Sequence, residues 1–208
     1  EERVNVPRGR ARLSGVAAIL LLLAGCATSG TSGLSVSERS DAARVAGYLN
    51  RATSLQGRFT QTGPQAGSES AGRFVYAPGA LRLDYDEPHV MHLKAGGKKI
   101  VLEDEANGSV TRLSLARNPL GLLLRTPVSF DAPVKVTSVR RFQGVLQLSA
   151  AEADNPSQGL LTLQFADDGQ ALRLIGLDGV DARAHHIVLR FYDLADGAPG
   201  SAGQPSRR

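Results

Sequence analysis

Two hydrophobic periods divide the chain. Between Ser35 and about Ala52, the apolar positions Ala42, Val45, Leu49 and Ala52 recur at spacings of three and four, one face of a helix. Ser35-Val36-Ser37-Glu38 opens that stretch with the form of a capping box. From Leu55 the period becomes two. Leu55, Gly57 and Phe59 alternate with Gln56, Arg58 and Thr60, then Gly72, Phe74 and Tyr76 with Arg73 and Val75. Leu81, Leu83 and Tyr85 alternate with Arg82 and Asp84. Similar short runs cover 90–94, 99–103, 110–115, 134–141, 145–150, 160–165, 172–177 and 187–194. Turn signals separate them at 63–67, Pro78-Gly79, Gly96-Gly97, Asn107-Gly108, Asp168-Gly169 and Asp178-Gly179. About eleven strands at hairpin spacing behind one helix predict a mainly β, α+β fold. Its expected form is one antiparallel sheet curling toward a barrel.

One segment breaks the rhythm: Asn118-Pro119-Leu120-Gly121-Leu122-Leu123-Leu124. Asn118 suits a helix cap and Pro119 a first turn. The leucines that follow leave no polar face, so this short helix must be buried or must cover something apolar.

A second apolar run lies near the start. Arg3, Arg8, Arg10 and Arg12 precede an unbroken apolar stretch from Val16 to Ala24, too short to span a bilayer comfortably. That is the layout of a secretory leader, and it ends in Leu23-Ala24-Gly25-Cys26. The last four residues resemble a bacterial lipobox, in which the cysteine receives a diacylglyceryl group. The alternative is an ordinary leader with an incidental cysteine. Cys26 is the chain's only cysteine and stands where the lipobox requires it, which favours lipidation. Residues 1–25 then read as the leader and 26–36 as the lipidated cysteine with a Gly/Ser-rich tether. Residues 37–195 form the folded domain, and 196–208 a Gly/Pro/Ser-rich disordered tail. Ala27, where a retention aspartate would stand, favours sorting to the outer membrane.

Composition narrows the chemistry. Half of the +4 net charge lies in the leader, and no Lys/Arg cluster interleaves with aromatics, so a nucleic-acid partner has no support. An exported domain without a disulfide must rely on its apolar core. His89 and His92 are three apart on a strand, and His185 and His186 are adjacent, so neither pair converges on a metal. No G-x-S-x-G elbow occurs, and Asp84, Asp86 and Glu87 read as a solvated acidic strand end. Metal, cofactor and catalytic roles are therefore not expected. The open rivals are an envelope hydrolase using that acidic cluster with a histidine, and a structural lipoprotein with a solid core.

Several segments carry a family resemblance. Ser54-Leu55-Gln56-Gly57-Arg58-Phe59-Thr60-Gln61-Thr62 after the helix resembles the first strand of the LolA family of periplasmic lipoprotein carriers. Gly72-Arg73-Phe74-Val75-Tyr76, Leu81-Arg82-Leu83-Asp84-Tyr85, the leucine-rich 119–124 and the late hairpin from Asp168 to Leu189 continue it. The similarity covers residues 40–194. It implies an incomplete antiparallel barrel with a helical lid over an apolar cavity that holds lipoprotein acyl chains. Phe59, Phe74, Tyr76, Leu81, Leu83, Leu102, Leu163 and Phe165 are the expected lining, with Leu120, Leu122, Leu123 and Leu124 as lid. The expected partners are lipoprotein acyl chains, the membrane through the anchor, and a periplasmic carrier or inner-membrane transporter. The implied protein is a monomeric, non-enzymatic carrier or receptor on the periplasmic face of the outer membrane. An envelope lipid or glycolipid binder of the same fold is the alternative.

Two departures stand out. The family's carrier is soluble, whereas this chain has a lipobox, as the related outer-membrane receptor LolB does. The carrier's lid-latching arginine is here Ala77, which leaves Arg73 or Arg82 as substitutes.

Overall fold

The computed structural model describes residues 31, 33–63 and 69–196. The expected leader, Cys26, all but the first residue of the turn expected at 63–67, and the tail beyond Asp196 lie outside the described residues. Helix α1 spans Val36–Arg51 and begins as its sequence dictates. The Ser35 hydroxyl accepts from the Glu38 amide at 3.2 Å, and the Glu38 carboxylate accepts from the Ser35 amide at 2.7 Å. Ala42, Val45 and Leu49 are buried along one face.

Eleven strands follow. They are β1 (Leu55–Thr62), β2 (Glu69–Ala77), β3 (Ala80–Glu87), β4 (Met91–Gly96), β5 (Lys99–Asp104) and β6 (Ser109–Ser114). After a 3-10 turn at Leu115–Arg117 and the one-turn helix α2 (Leu120–Leu123) come β7 (Val134–Phe142) and β8 (Val145–Glu152). A second 3-10 turn at Pro156–Gln158 leads to β9 (Leu160–Asp167), β10 (Leu172–Val180) and β11 (His186–Asp196). All join one antiparallel sheet in the order β6-β5-β4-β3-β2-β1-β11-β10-β9-β8-β7. Two hairpin meanders thus meet at a single seam, where Phe59 faces Phe191 and Thr62 faces Val188. Register shifts in the β1–β11, β2–β3, β7–β8 and β9–β10 pairs bend the ladder, as β-bulges do.

The expected turn at Asp178-Gly179 is not one. Both residues lie inside β10, and the chain turns at 181–185, where the Asp181 amide donates to the His185 carbonyl at 3.1 Å. Gly179 serves a close approach instead. A Cβ there would sit 3.0 Å from the Pro119 ring, which lies over the strand.

The sheet's two edges, β6 and β7, are consecutive in the chain. Residues 115–133 therefore run from one edge to the other across the open side. Helix α1 covers the second meander: the Tyr48 ring meets Phe165 edge-on at 5.4 Å, and its hydroxyl accepts from the Leu174 amide at 3.3 Å.

Candidate functional site

Opposed residues in an antiparallel pair share a face, so the register alone builds the interior wall. One row runs Leu113, Ile100, Ala95, Leu81, Tyr76, Leu55, and the next Thr111, Leu102, Leu93, Leu83, Phe74, Gly57. Across the seam, Leu189 faces Leu177, which faces Leu163, which faces Leu148. Of the expected lining residues, Phe59, Phe74, Tyr76, Leu81, Leu83, Leu163 and Phe165 are buried in one apolar cluster. Leu102 is half-buried on the same face. Rings interlock within the cluster: Phe59 meets Tyr85 edge-on at 5.0 Å, and Phe74 meets Phe191 at 4.6 Å.

That wall holds few polar groups. Tyr85 donates to Gln61 Oε1 at 2.7 Å, and burial pushes its phenol up to about 12. Tyr76 is also pushed up to about 12 by burial, and its buried hydroxyl has no hydrogen-bond partner. The wall offers apolar area, at about 0.8 kcal/mol per methylene taken from water.

The leucine segment closes over the wall. Pro119 stands at the N-cap of the short helix, and just before it the Asn118 Oδ1 accepts from the Leu120 amide at 3.0 Å and the Asn118 carbonyl from the Gly121 amide at 2.9 Å. Leu120, Leu122 and Leu123 are buried in the same cluster, while Leu124 packs on it half-buried. Gly121 must be glycine. Any Cβ there would collide with the Leu115 carbonyl and the Gln158 amide.

The ties that hold the segment come from residues that local patterning gives no reason to pick. Asn155 Nδ2 donates to the Ala116 carbonyl at 2.8 Å, and Gln158 Nε2 to the Leu115 carbonyl at 3.3 Å. Arg125 pairs with Glu152 at 2.7 Å. The Asn50 amide of α1 donates to the Val128 carbonyl and accepts from the Val128 amide, both at 2.8 Å. A cleft of about 460 Å³ opens where this segment meets the β4–β5 turn, lined by Lys98, Leu115, Gly121, Leu124, Arg125 and Gln158 among others. Arg73 and Arg82, the expected latch substitutes, do not reach it. Each alternates with buried core positions and lies on the outer face, where Arg82 Nε pairs with Asp84 at 2.7 Å.

A second cluster fixes α1. Arg141 grips Asp41 with Nε at 2.7 Å and with Nη2, and reaches Asp167 with Nη1 at 2.8 Å. Arg44 holds both Asp167 oxygens at 2.8 and 3.0 Å. The Arg44 guanidinium keeps the buried Asp167 carboxyl well below the usual carboxylate range.

The histidines do not converge. His92 bridges Asp84 at 2.6 Å and Glu105 at 3.0 Å, contacts that raise its pKa in that order of size. His89 pairs with Asp104, His185 with Asp181 and His186 with Asp178. Among the described residues no three such groups are placed to hold a metal ion. Asp84 is not a free member of an acidic strand end, because Arg82 and His92 occupy both of its oxygens.

Comparison with known proteins follows the same line. The family model of the outer membrane lipoprotein carrier protein LolA matches residues 50–202. An outer-membrane lipoprotein carrier protein of Alkalilimnicola ehrlichii is 34% identical over 146 residues, covering 66% of this chain and 68% of its own. Among solved structures, a LolA superfamily protein from Nitrosomonas europaea is 13% identical, with a TM-score of 0.40 over 76% of this chain and 92% of that one. The Mycobacterium tuberculosis lipoprotein LppX is 11% identical, with a TM-score of 0.38 over 77% of this chain and 94% of its own. The chain belongs to the LolA family of outer membrane lipoprotein carrier proteins.

Proposed function

We propose that this protein binds the acyl chains of lipoproteins between the sheet's apolar face and the 115–133 segment, and helps to localise them to the outer membrane. One observation carries the reading: an apolar wall from β5 to β8, covered among the described residues by helix α1 over the second meander and by a short leucine-rich strap at the open side. Acyl chains entering such a site leave one apolar environment for another, so most of the gross hydrophobic gain cancels. Transfer then needs only a site slightly more favourable than the donor's, and no chemical step. Cys26 anchors the domain to the membrane on this reading, and the tether leaves it free to face the periplasm.

The test is mass spectrometry of material extracted from the purified full chain, beside a Leu83→Glu chain. Lipoprotein acyl chains are expected with the parent and should be lost from the variant, since a charge on the wall is unpaired or hydrates the site. Extracted glycolipid in place of lipoprotein would favour the alternative cargo of the same fold. An empty parent would sink the carrier reading.

A further inference from the structure

Strands β3 to β6 sort their charges end to end. At the β4–β5 turn end stand Lys98, Lys99, Arg112 and Arg117, all exposed, and none of these side chains has a hydrogen-bond or ion-pair partner among the described residues. The other cations at this end are neutralised: Arg82 by Asp84, Lys94 by Glu103 and Arg125 by Glu152. The opposite end carries Asp86, Glu87, Asp104 and Glu105. Six-residue strands at about 3.3 Å per residue set the ends roughly 20 Å apart, more than twice the Debye length of about 8 Å at physiological salt, so each end acts on its own surroundings.

The four free cations form one patch. Lys99 pairs in register with Ser114, which makes Arg112 its diagonal neighbour on the outer face. The Lys98 carbonyl accepts from the Leu115 amide at 3.1 Å, which brings the turn beside the 3-10 turn that ends in Arg117. Leu113, 50% exposed, lies on the opposite face of this edge strand, in register with buried Ile100. Unpaired lysines and arginines gathered at one end of a domain are attracted to anionic lipid headgroups. Point charges spread over a turn, a strand and a 3-10 turn match a diffuse anionic plane better than they match fixed carboxylates on a protein.

We propose that this end of β5 and β6 is a docking surface for an anionic lipid membrane. It is continuous with the start of the 115–133 strap, so docking sets the mouth of the apolar site against the headgroups. The inference stands on the charge layout and holds whatever cargo the site carries.

The experiment is co-sedimentation of the full chain with phosphatidylcholine vesicles and with vesicles that also contain phosphatidylglycerol. Cys26→Ser is present in every sample, so no lipid anchor contributes. Lys98→Glu, Lys99→Glu, Arg112→Glu together should weaken partition onto the anionic vesicles at least about tenfold, given the worth of each basic residue near such a surface. Lys135→Glu, Arg173→Glu, Arg183→Glu, an equal charge change on exposed residues of the other meander, should weaken it much less. The leader arginines are common to all three chains. All six substituted side chains are exposed and unpaired, so circular dichroism melts should coincide. Equal losses in the two triple variants, or no preference of the parent for anionic vesicles, would overturn the proposal. Indifference to vesicles with binding to an acidic protein instead would overturn it as well.

Discussion

Tyr76 and Tyr85 are both buried on the same face of neighbouring strands, yet only Tyr85 has a partner for its hydroxyl. Removing a satisfied buried hydroxyl forfeits about 1 kcal/mol, whereas removing an orphaned one relieves a desolvation cost. Tyr85→Phe should therefore lower stability by about that amount, and Tyr76→Phe should leave it equal or higher. Urea unfolding of both variants checks this, and a clear loss in Tyr76→Phe would mean that the hydroxyl is paired in solution. Which residues are apolar and inward was legible from alternation alone, because Phe74, Tyr76, Leu81 and Leu83 follow a strict period of two. Their polar companions were not. Asn50, Asn155 and Gln158 meet backbone groups 39 to 78 positions away, and no local pattern encodes such a meeting.

Among the elements, the strap with α2 lies outside the sheet's hydrogen-bonded ladder. Its helix is a single turn, held by its buried leucines and by side-chain contacts at its margins. Asn118, Pro119 and the leucines announced this element because an all-apolar short helix cannot face water. Gly179 misled for the same physical reason that the strap fits: a strand glycine was needed beneath Pro119, and in sequence it looks like a turn. We predict that Leu122→Glu, Leu123→Glu makes the strap swing out while the sheet keeps nearly its full melting temperature. Leu163→Glu, within the wall, should cost more than about 3 kcal/mol. Equal losses in the two variants would show that the strap is part of the folding core.

On the scale of the whole molecule, the amphipathic helix, the strand count and the hairpin succession all follow from the sequence. The seam between the two meanders does not, because β1 and β11 lie at opposite ends of the chain and either could have remained an edge. Nor does the clasp on α1, since Asp41, Arg141 and Asp167 are brought together from positions 26 to 126 residues apart. The location we propose for the protein rests on Cys26. Cys26→Ala should leave an exported chain that a salt wash releases from outer membranes. Retention of that variant in the washed membrane fraction would refute the anchor.

The strap also sets how far the mouth can gape. Fully extended, residues 115–133 have a contour of about 65 Å, much longer than any separation of two sheet edges in a domain of this size. Chain length therefore never stops the edges from parting. What stops them is the burial of Leu120, Leu122 and Leu123 together with a short set of fastenings, Arg125 to Glu152, Asn155 to Ala116, Gln158 to Leu115 and Asn50 to Val128. The mouth behaves as a drawstring purse in which the cord is slack and the knots do the holding.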